Sequence, residues 1–308
     1  MNSDGGNTTG GYLLSGASGM IGAALRAGLS QHQARVIQLV RRTPVSNQEV
    51  QWNPASTSPI FSPQSFQGFD AAIHLSGANV AAHRWTPAYR REMAVSRVNS
   101  TRALATALAS LDSPPRVLLV ASAVGIYGDR GDEILDESSL PGRGFLADLC
   151  ALWETVARPA SAAGIRVVHM RFGVVLSPGA GALARMLPLF RLGLGGKLGS
   201  GRQWMSWISV DDLVAAALFA IASPTLEGAV NFVSPHPVTN AEFTRTLAGL
   251  LHRPAIFPAP SFALRLAFGK MADEALLASA RVLPRKLLGA AFQFSQPTLP
   301  EALTVTLK

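Results

Sequence analysis

The chain has 308 residues, of which 48% are hydrophobic and 15% charged, and it carries a formal net charge of +8. This length allows one large domain or two small ones, and the apolar content is ample for a buried core. The lysines and arginines are scattered, without basic runs longer than pairs or interleaved aromatic residues, which argues against a nucleic-acid-binding protein.

Targeting and redox signals favour a cytoplasmic protein without a membrane partner. The first basic residue is Arg26, and the longest apolar stretch, Leu213 to Ala222, is too short to cross a bilayer. The single cysteine, Cys150, excludes an internal disulfide and fits a reducing compartment. Residues 1–10 are polar and glycine-rich, so we expect a flexible lead-in there.

The first motif is a glycine loop, Gly16-Ala-Ser-Gly19-Met-Ile-Gly22, between the apolar run Tyr12–Leu14 and a predicted helix over Ala23–Leu29. In such a strand–turn–helix unit the first glycine makes the turn, the second lets a diphosphate approach the backbone, and the third lets the helix pack on the strand. The free N–H groups at the helix start then face the phosphates. The predicted cofactor contacts are Gly16, Ser18, Gly19, Met20, Ile21 and Gly22. The alternative is a glycine turn with a purely structural role.

Strands and helices alternate from residue 12 to about residue 176, which predicts an α/β fold with a doubly wound parallel sheet, the Rossmann fold. The predicted strands are Tyr12–Leu14, Val36–Val40, Ala71–Leu75, Val117–Ala121 and Val167–Phe172. The predicted later helices run from Thr86-Pro87 to Leu111, from Leu149 to Ala157, from Leu213 to Ala222 behind a capping box at Ser209, and from near Asn240. The segment from Val40 to Asp70 is predicted to be loop.

Two parts follow from this pattern. Residues 11–176 are predicted to form the dinucleotide-binding core. The alternation weakens after residue 173 and proline becomes more frequent, so residues 177–308 are predicted to form a smaller C-terminal substrate lobe, interleaved with the last core elements.

The second predicted strand runs directly into Arg41-Arg42, where this fold contacts the adenosine ribose. An acidic residue at this place favours NAD, whereas an arginine accommodates the additional phosphate of NADP. Arg41 and Arg42 therefore predict NADP(H) as the cofactor. The alternative is a solvated pair of charges at a strand end.

Further motifs resemble those of the extended short-chain dehydrogenase/reductases, the NAD-dependent epimerase/dehydratase group. These motifs are Leu75-Ser-Gly-Ala78, Asn99-Ser-Thr101, Ser122-Ala-Val-Gly-Ile-Tyr-Gly128 and Arg171-Phe-Gly173. The resemblance implies additional cofactor contacts at Leu75, Ser76, Gly77, Ala78, Ala121, Ser122, Arg171 and Gly173.

A more specific resemblance is to an atypical branch of this group, known only as epimerase family proteins. It rests on Ser96-Arg97, Gly144-Phe-Leu-Ala-Asp148 with Trp153-Glu154, the stretch Gly199–Ile208, and Pro235-His-Pro-Val-Thr-Asn240. The resemblance covers nearly the whole chain, from about residue 11 to residue 304. It says little about the reaction.

The chain departs from the superfamily at the catalytic Tyr-x-x-x-Lys pair, whose spacing places both side chains on one helix face. Cys150 and Glu154 stand at this spacing instead, and none of the three tyrosines has a lysine four residues later. The serine or threonine expected on the fifth strand falls at Ala123, next to Ser122. One hypothesis is a rebuilt active site, with Glu154 as a base whose pKa burial raises toward neutrality and Tyr127 as an acid.

Within that hypothesis Cys150 is a proton donor or a small apolar filler, and Ser122 orients the substrate. The competing interpretation of Glu154 is a helix-surface carboxylate or the partner of a nearby arginine. The competing functional hypothesis is loss of catalysis, which leaves an NADP(H)-binding regulatory or interaction protein.

Four residues are candidates for binding a small, anionic substrate: Arg97, Arg202, Gln203 and Trp204. Arg171 is a further candidate cation. The glycines and aromatic residues of Gly199–Ile208 suit a substrate lid, and they equally suit a lobe interface anchored by Trp204 and Trp207. Asp211 and Asp212 are predicted helix-cap residues. The six histidines lack metal-ligand spacing, so no metal site is predicted. The sequence does not specify an oligomeric state.

Overall fold

A computed structural model describes residues 11–31, 33–54 and 68–308. The predicted lead-in at residues 1–10 and part of the loop predicted after Val40 lie outside these residues. The strands are β1 (Gly11–Ser15), β2 (Arg35–Val40), β3 (Glu49–Gln51), β4 (Ala71–His74), β5 (Val117–Ala123), β6 (Ile134–Leu135), β7 (Arg166–Phe172), β8 (Val174–Leu176), β9 (Trp204–Met205), β10 (Trp207–Ser209), β11 (Gly228–Phe232), β12 (Val238–Thr239) and β13 (Arg281–Val282).

The helices alternate with these strands in the first half of the chain and dominate the second. They are α1 (Met20–Gln31), α2 (Pro87–Ala109), α3 (Phe145–Thr155), α4 (Arg158–Ala162), α5 (Gly181–Arg191), α6 (Val210–Ala222), α7 (Asn240–Leu250), α8 (Ser261–Phe268), α9 (Arg285–Gly289) and α10 (Leu299–Thr306). A 3₁₀ turn covers Val124–Tyr127, and a π-helical turn covers Ala272–Leu276.

Seven strands form one parallel sheet in the order β11-β7-β5-β4-β1-β2-β3. Strand β1 pairs with β2 on one side and with β4 on the other, so the strand order reverses at β1 and β4. In open parallel sheets a crevice opens at such a reversal, beyond the carboxyl ends of the strands, and ligands bind there. The doubly wound fold predicted from the sequence is confirmed.

Helices cover both faces of this sheet because its strands alternate apolar residues to either side. On one face Leu14 packs in a core with Leu25 of α1 and Leu213 of α6. On the other face Leu13 packs in a core with Leu104 of α2 and Trp153 of α3. A parallel sheet needs such cover on both faces, since both are apolar.

A third core holds the C-terminal elements together. Leu183 of α5, Phe243 of α7 and Leu303 of α10 pack around Trp207, which is fully buried. Short strand pairs join these elements to the core, with β10 beside β8 and β13 beside β6. Strand β11 returns to the main sheet, and the chain after it forms α7 to α10.

The five predicted strands are present with bounds shifted by one or two residues, and the predicted loop between Val40 and Asp70 is wrong at β3. This three-residue strand pairs with the edge of β2. Helix α3 begins at Phe145, four residues before the predicted Leu149, because Gly144 with φ 113° ends the preceding loop. None of the helices in the described ranges is long and apolar enough to span a bilayer.

Candidate functional site

The glycine loop joins β1 to α1 at the point where the strand order reverses. Gly16 has a φ of +74°, and a Cβ there would lie 2.9 Å from the carbonyl carbon of Leu75. A Cβ on Gly22 would lie 2.2 Å from the Gly16 carbonyl oxygen. A Cβ on Gly19 would meet only that same oxygen, at 3.4 Å. Gly16 and Gly22 are therefore required by the fold, whereas Gly19 faces open space.

The loop after β4, Leu75 to Ala78, runs beside the glycine loop. Leu75 N donates to the Ser15 carbonyl at 3.2 Å and to its hydroxyl at 3.3 Å. Ala78 N donates to Ser96 Oγ at 3.0 Å. Ser18, Gly19 and Gly77 are exposed, and Met20, Ile21, Leu75, Ser76 and Ala78 are half-buried. The structure thus brings the two predicted cofactor-binding loops side by side at the strand reversal.

A buried polar chain, which the sequence analysis missed, lies beneath these loops. His74 Nδ1 lies 2.6 Å from Ser15 Oγ, and His74 Nε2 lies 3.0 Å from Ser100 Oγ. Ser100 donates its hydroxyl to the Ser96 carbonyl, so the network assigns the ring proton to Nε2. Burial lowers the pKa of His74 to about 3 and keeps the ring neutral. The sequence signal that could have revealed this chain is a polar residue, Ser15 or His74, at the end of each of the two apolar strands β1 and β4.

Arg41 and Arg42 follow β2, as predicted, but their environments differ. Arg42 binds Glu49 through both terminal nitrogens, at 2.8 and 2.6 Å, and the hydrogen bond from Arg42 lowers the pKa of Glu49. Arg41 is exposed, and its guanidinium makes no hydrogen bond or ion pair with the described residues. No acidic residue directly follows β2 in the sequence, and Glu49 reaches this strand end only through the unpredicted strand β3.

Three of the four predicted catalytic residues share one hydrogen-bonded cluster at the ends of β5 and β7. Ser122 Oγ donates to Glu154 Oε1 at 2.7 Å. Arg171 donates to the same carboxylate from Nε to Oε1 and from Nη2 to Oε2, both at 2.8 Å. Arg171 Nη1 also donates to the Tyr127 hydroxyl at 2.9 Å, which in turn donates to Asn231 Oδ1 at 2.8 Å.

The electrostatics of Glu154 differ from the expectation. Burial alone would raise the pKa of the Glu154 carboxyl, but the hydrogen bonds and charge of Arg171 outweigh it and lower that pKa. The predicted shift toward neutrality is therefore wrong. Glu154 is held as a carboxylate, and the interpretation as an arginine's partner is the one that the geometry matches.

Tyr127 and Cys150 are enclosed. Tyr127 is fully buried and burial raises the pKa of its hydroxyl, while Arg171 and Asn231 occupy both of its hydrogen-bonding directions. Cys150 is buried on α3, and burial raises the pKa of its thiol to about 11. Two of the predicted cofactor contacts are enclosed as well. Ala121 is buried, and a Cβ on Gly173 would lie 2.5 Å from the Ser206 carbonyl oxygen.

The predicted substrate residues do not form one group. Arg202 is exposed, whereas Gln203 is buried and donates its amide to the carbonyls of Leu198 and Leu276, at 3.0 and 3.2 Å. Trp204 donates to Asp132 Oδ1 at 2.8 Å, with the Arg281 guanidinium 4.2 Å from its ring centroid. The tryptophan and glutamine contacts are those of an anchored interface between chain segments, which was one of the two hypotheses for Gly199–Ile208.

Asp212 does not cap α6 with its side chain. Ser209 Oγ accepts from Asp212 N at 3.1 Å, as a capping residue does. The Asp212 carboxylate instead accepts from the backbone of Ser295 at 2.8 Å and of Gln296 at 3.0 Å, so it binds the C-terminal segment.

Among the residues that the structure describes, no group of three or more His, Cys, Asp or Glu side chains could hold a metal ion.

Comparisons with known proteins agree with this geometry. Residues 12–231 match the model of the NAD dependent epimerase/dehydratase family, and residues 259–305 match a domain of unknown function, DUF1731. The chain is similar to the epimerase family protein Mb2239 of Mycobacterium bovis, with 48% identity over 290 residues that cover 94% of this chain and 95% of the relative. It is 36% identical to the epimerase family protein SA0724 of Staphylococcus aureus over 303 residues, covering 96% and 99%.

Among solved structures, the human epimerase family protein SDR39U1 (isoform 2), crystallised with NADPH, superposes with a TM-score of 0.88 at 33% identity. The match covers 96% of this chain and 98% of the human one. The resemblance stated from the sequence motifs is confirmed.

Proposed function

Because the chain belongs to the NAD dependent epimerase/dehydratase family, we propose that it binds NADP(H) and acts as an oxidoreductase or epimerase-like enzyme in the cytoplasm. Its substrate in this proposal is a small anionic molecule. The observation that carries the proposal is the pair of loops at the strand reversal, where Gly19 alone of the three motif glycines faces open space. The NADPH bound to the human neighbour supports the same cofactor.

The residues present fit a dinucleotide. The backbone of Gly16 to Gly22 would face the diphosphate, and the loop Leu75 to Ala78 would line the opposite side of the cleft. Arg41, whose guanidinium makes no bond within the described ranges, would meet the 2′-phosphate. When bound, the nicotinamide supplies or accepts a hydride, which is the chemistry that the protein itself lacks.

Proton transfer is assigned to Glu154 in this proposal, with Ser122 holding the carboxylate in place. Ser122 is itself buried and donates its hydroxyl proton to Glu154 Oε1. The half-buried Glu154 carboxylate, which Arg171 keeps charged, would accept the proton of a substrate hydroxyl, and in the reductive direction it would return that proton to the carbonyl oxygen. Tyr127 holds Arg171 in place and is too enclosed to reach a substrate. Arg171 thus supplies the local positive charge that a lysine supplies in the usual pair.

A second candidate function is a catalytically silent NADP(H)-binding regulatory or interaction protein. The observation that favours it is the saturation of the same cluster, since Ser122, Glu154, Arg171 and Tyr127 bind one another. In this alternative the Glu154–Arg171 ion pair only stabilises the fold, and the protein responds to whether NADP or NADPH is bound.

The deciding experiment is calorimetric titration with NADPH, NADP, NADH and NAD, followed by mixing the NADPH complex with a panel of acidic carbonyl compounds while the nicotinamide absorbance is followed. The enzyme is supported if the wild type oxidises NADPH, Glu154→Gln does not, and the exposed control Glu92→Gln still does. Both variants should bind NADPH as tightly as the wild type. Tight binding without oxidation by any compound favours the regulator. Absence of dinucleotide binding contradicts both.

A further inference from the structure

Arg97 lies on α2 directly beneath the loop from Leu75 to Ala78. Its residue surface is 9% exposed, and a Cβ on Gly77 would lie 3.1 Å from its guanidinium carbon. Ser96 Oγ accepts from Ala78 N at 3.0 Å, and Arg97 Nη2 donates to the Ala78 carbonyl at 2.9 Å. The two neighbouring residues therefore bind the backbone N–H and the carbonyl of the same loop residue, Ala78.

Among the residues that the structure describes, no carboxylate pairs with the charge of Arg97. Its hydrogen-bond acceptors in the described part of the chain are two carbonyl oxygens, of Met93 at 3.1 Å and of Ala78 at 2.9 Å. The ring of Trp153 stands 5.1 Å from its guanidinium carbon. Arg171, which is also buried, has a two-pronged carboxylate partner in Glu154.

Burying the guanidinium of Arg97 without a carboxylate partner costs free energy, unless a bound ligand supplies the negative charge. A buried cation without a counter-charge loses its hydration without recovering Coulomb energy, which is why buried charges are normally paired. Two carbonyl oxygens could be bound by a neutral glutamine amide at much lower cost. The retained guanidinium has five N–H donors, of which two are used, and its planar fork suits the oxygens of a phosphate or carboxylate.

Arg97 contacts Gly77 and Ala78 in the loop that follows β4, next to the point between β4 and β1 where the strand order reverses. Ligands of parallel sheets bind in this crevice. We propose, resting on the proposed function, that Arg97 is a second anion-binding residue, in addition to Arg41, and that it takes a phosphate or carboxylate oxygen of a ligand bound at the strand reversal.

Two ligands could bring this anion: the diphosphate of the dinucleotide, or the acid group of the second substrate. The test compares Arg97→Gln, which can keep a bond to a carbonyl, with Arg97→Lys, which keeps the charge. Arg102→Gln is the matched control, since it removes an exposed positive charge from the same helix. Circular dichroism and a thermal melt first show that each variant is folded.

The first arm is calorimetry with NADPH and with adenosine 2′-monophosphate, which lacks the diphosphate. If the dinucleotide brings the anion, Arg97→Gln weakens NADPH binding by about 10- to 100-fold, as expected for the loss of hydrogen bonds to a charged group. Binding of adenosine 2′-monophosphate stays within about twofold of the wild type. Arg97→Lys falls between the wild type and Arg97→Gln, and Arg102→Gln behaves like the wild type.

The second arm uses inorganic phosphate and citrate as probes, added to the NADPH complex and to the free protein in thermal melts at constant ionic strength. If the substrate brings the anion, NADPH binding is unchanged in Arg97→Gln, but the stabilisation by these probes seen in the wild type and in Arg102→Gln is lost. A folded Arg97→Gln that matches Arg102→Gln in both arms overturns the proposal. Failure of the wild type to bind NADPH contradicts the proposed function separately, and the melts of the free protein still decide on Arg97.

Discussion

Glu154 of α3 and Arg171 of β7 form a two-pronged ion pair, with both N–O distances at 2.8 Å and side-chain exposures of 14% and 8%. Glu154 stands four residues after Cys150, at the spacing at which the superfamily places its lysine after its tyrosine. In this pair the helix carries the negative charge and the neighbouring strand carries the positive one. The pair is nearly neutral, which lowers its cost of burial.

Breaking this pair should destabilise the fold in a pH-dependent way. Glu154→Gln leaves Arg171 buried with a neutral partner, and we expect a loss of about 3 kcal/mol in the free energy of unfolding at pH 7. Because the pKa of Glu154 is lowered in the folded state, its contribution is present above the unfolded pKa of about 4.3 and disappears as the pH falls through the folded value. Chemical denaturation at pH 7, 5 and 3.5 should show the two proteins converging in acid.

The double variant Glu154→Leu with Arg171→Met tests the same pair. We expect it to lose less than the sum of the two single changes, since neither charge is left alone. A constant difference between wild type and Glu154→Gln at all three pH values would contradict the ion-pair account.

The three motif glycines should separate folding from cofactor binding. Gly16→Ala forces a side chain into a backbone with a φ of +74°, and Gly22→Ala places a methyl group 2.2 Å from a carbonyl oxygen. Each should cost about 1–3 kcal/mol of stability. Gly19→Ala should leave stability within about 1 kcal/mol of the wild type and yet weaken NADPH binding at least tenfold, because its methyl group occupies the open side of the loop. Urea denaturation and calorimetry measure both. A Gly19→Ala variant that binds NADPH as tightly as the wild type would mean that the open space at Gly19 has no ligand role.

Arg41 and Arg42 should affect cofactor choice unequally. Arg41→Ala removes a guanidinium without a partner in the described ranges, and we expect NADPH binding to weaken about 10- to 100-fold while NADH binding is unchanged. Arg42→Ala removes a side chain that already binds Glu49 at 2.6 Å, so we expect a smaller effect on NADPH. Calorimetry with both dinucleotides decides, and equal losses for NADPH and NADH in Arg41→Ala would contradict the NADP assignment.

The local signals in the sequence were sufficient for the core of the fold but not for the site's charges. Glycine spacing and apolar runs located the loop at Gly16 and the main strands, because these features act over a few residues. Strand β3 and its Glu49 were missed because a three-residue edge strand has no periodicity of its own. The pairing of Glu154 with Arg171 links positions on different elements, and only one competing hypothesis for Glu154 included it. The Ser15–His74–Ser100 chain depends on strand register, which a single sequence does not define.

Cys150 should behave as a buried structural thiol. Its pKa is raised to about 11 by burial, so at pH 8 almost none of it is thiolate, the form that reacts with alkylating agents. We expect iodoacetamide to label the native protein slowly and the urea-unfolded protein at the rate of a free cysteine. Mass spectrometry follows the single adduct. Cys150→Ala should keep NADPH binding and any turnover; a variant that binds NADPH normally but has lost turnover would instead identify the thiol as catalytic.

His74 should make the protein sensitive to mild acid. The ring is neutral in the folded state because burial lowers its pKa to about 3, whereas an unfolded histidine titrates near pH 6.5. Between these values the unfolded chain binds the additional proton, so stability falls as the pH falls, by up to about 1.4 kcal/mol per pH unit. His74→Asn should be less stable at pH 8 and should show a shallower decline between pH 6.5 and pH 4. Part of the fall in stability with decreasing pH should remain in that variant, because burial also lowers the pKa of His169. The exposed His83→Asn is the control for the loss of an imidazole and should match the wild type in urea denaturation at pH 8. An unchanged slope in His74→Asn would show that the Ser15–His74–Ser100 chain takes up a proton without unfolding.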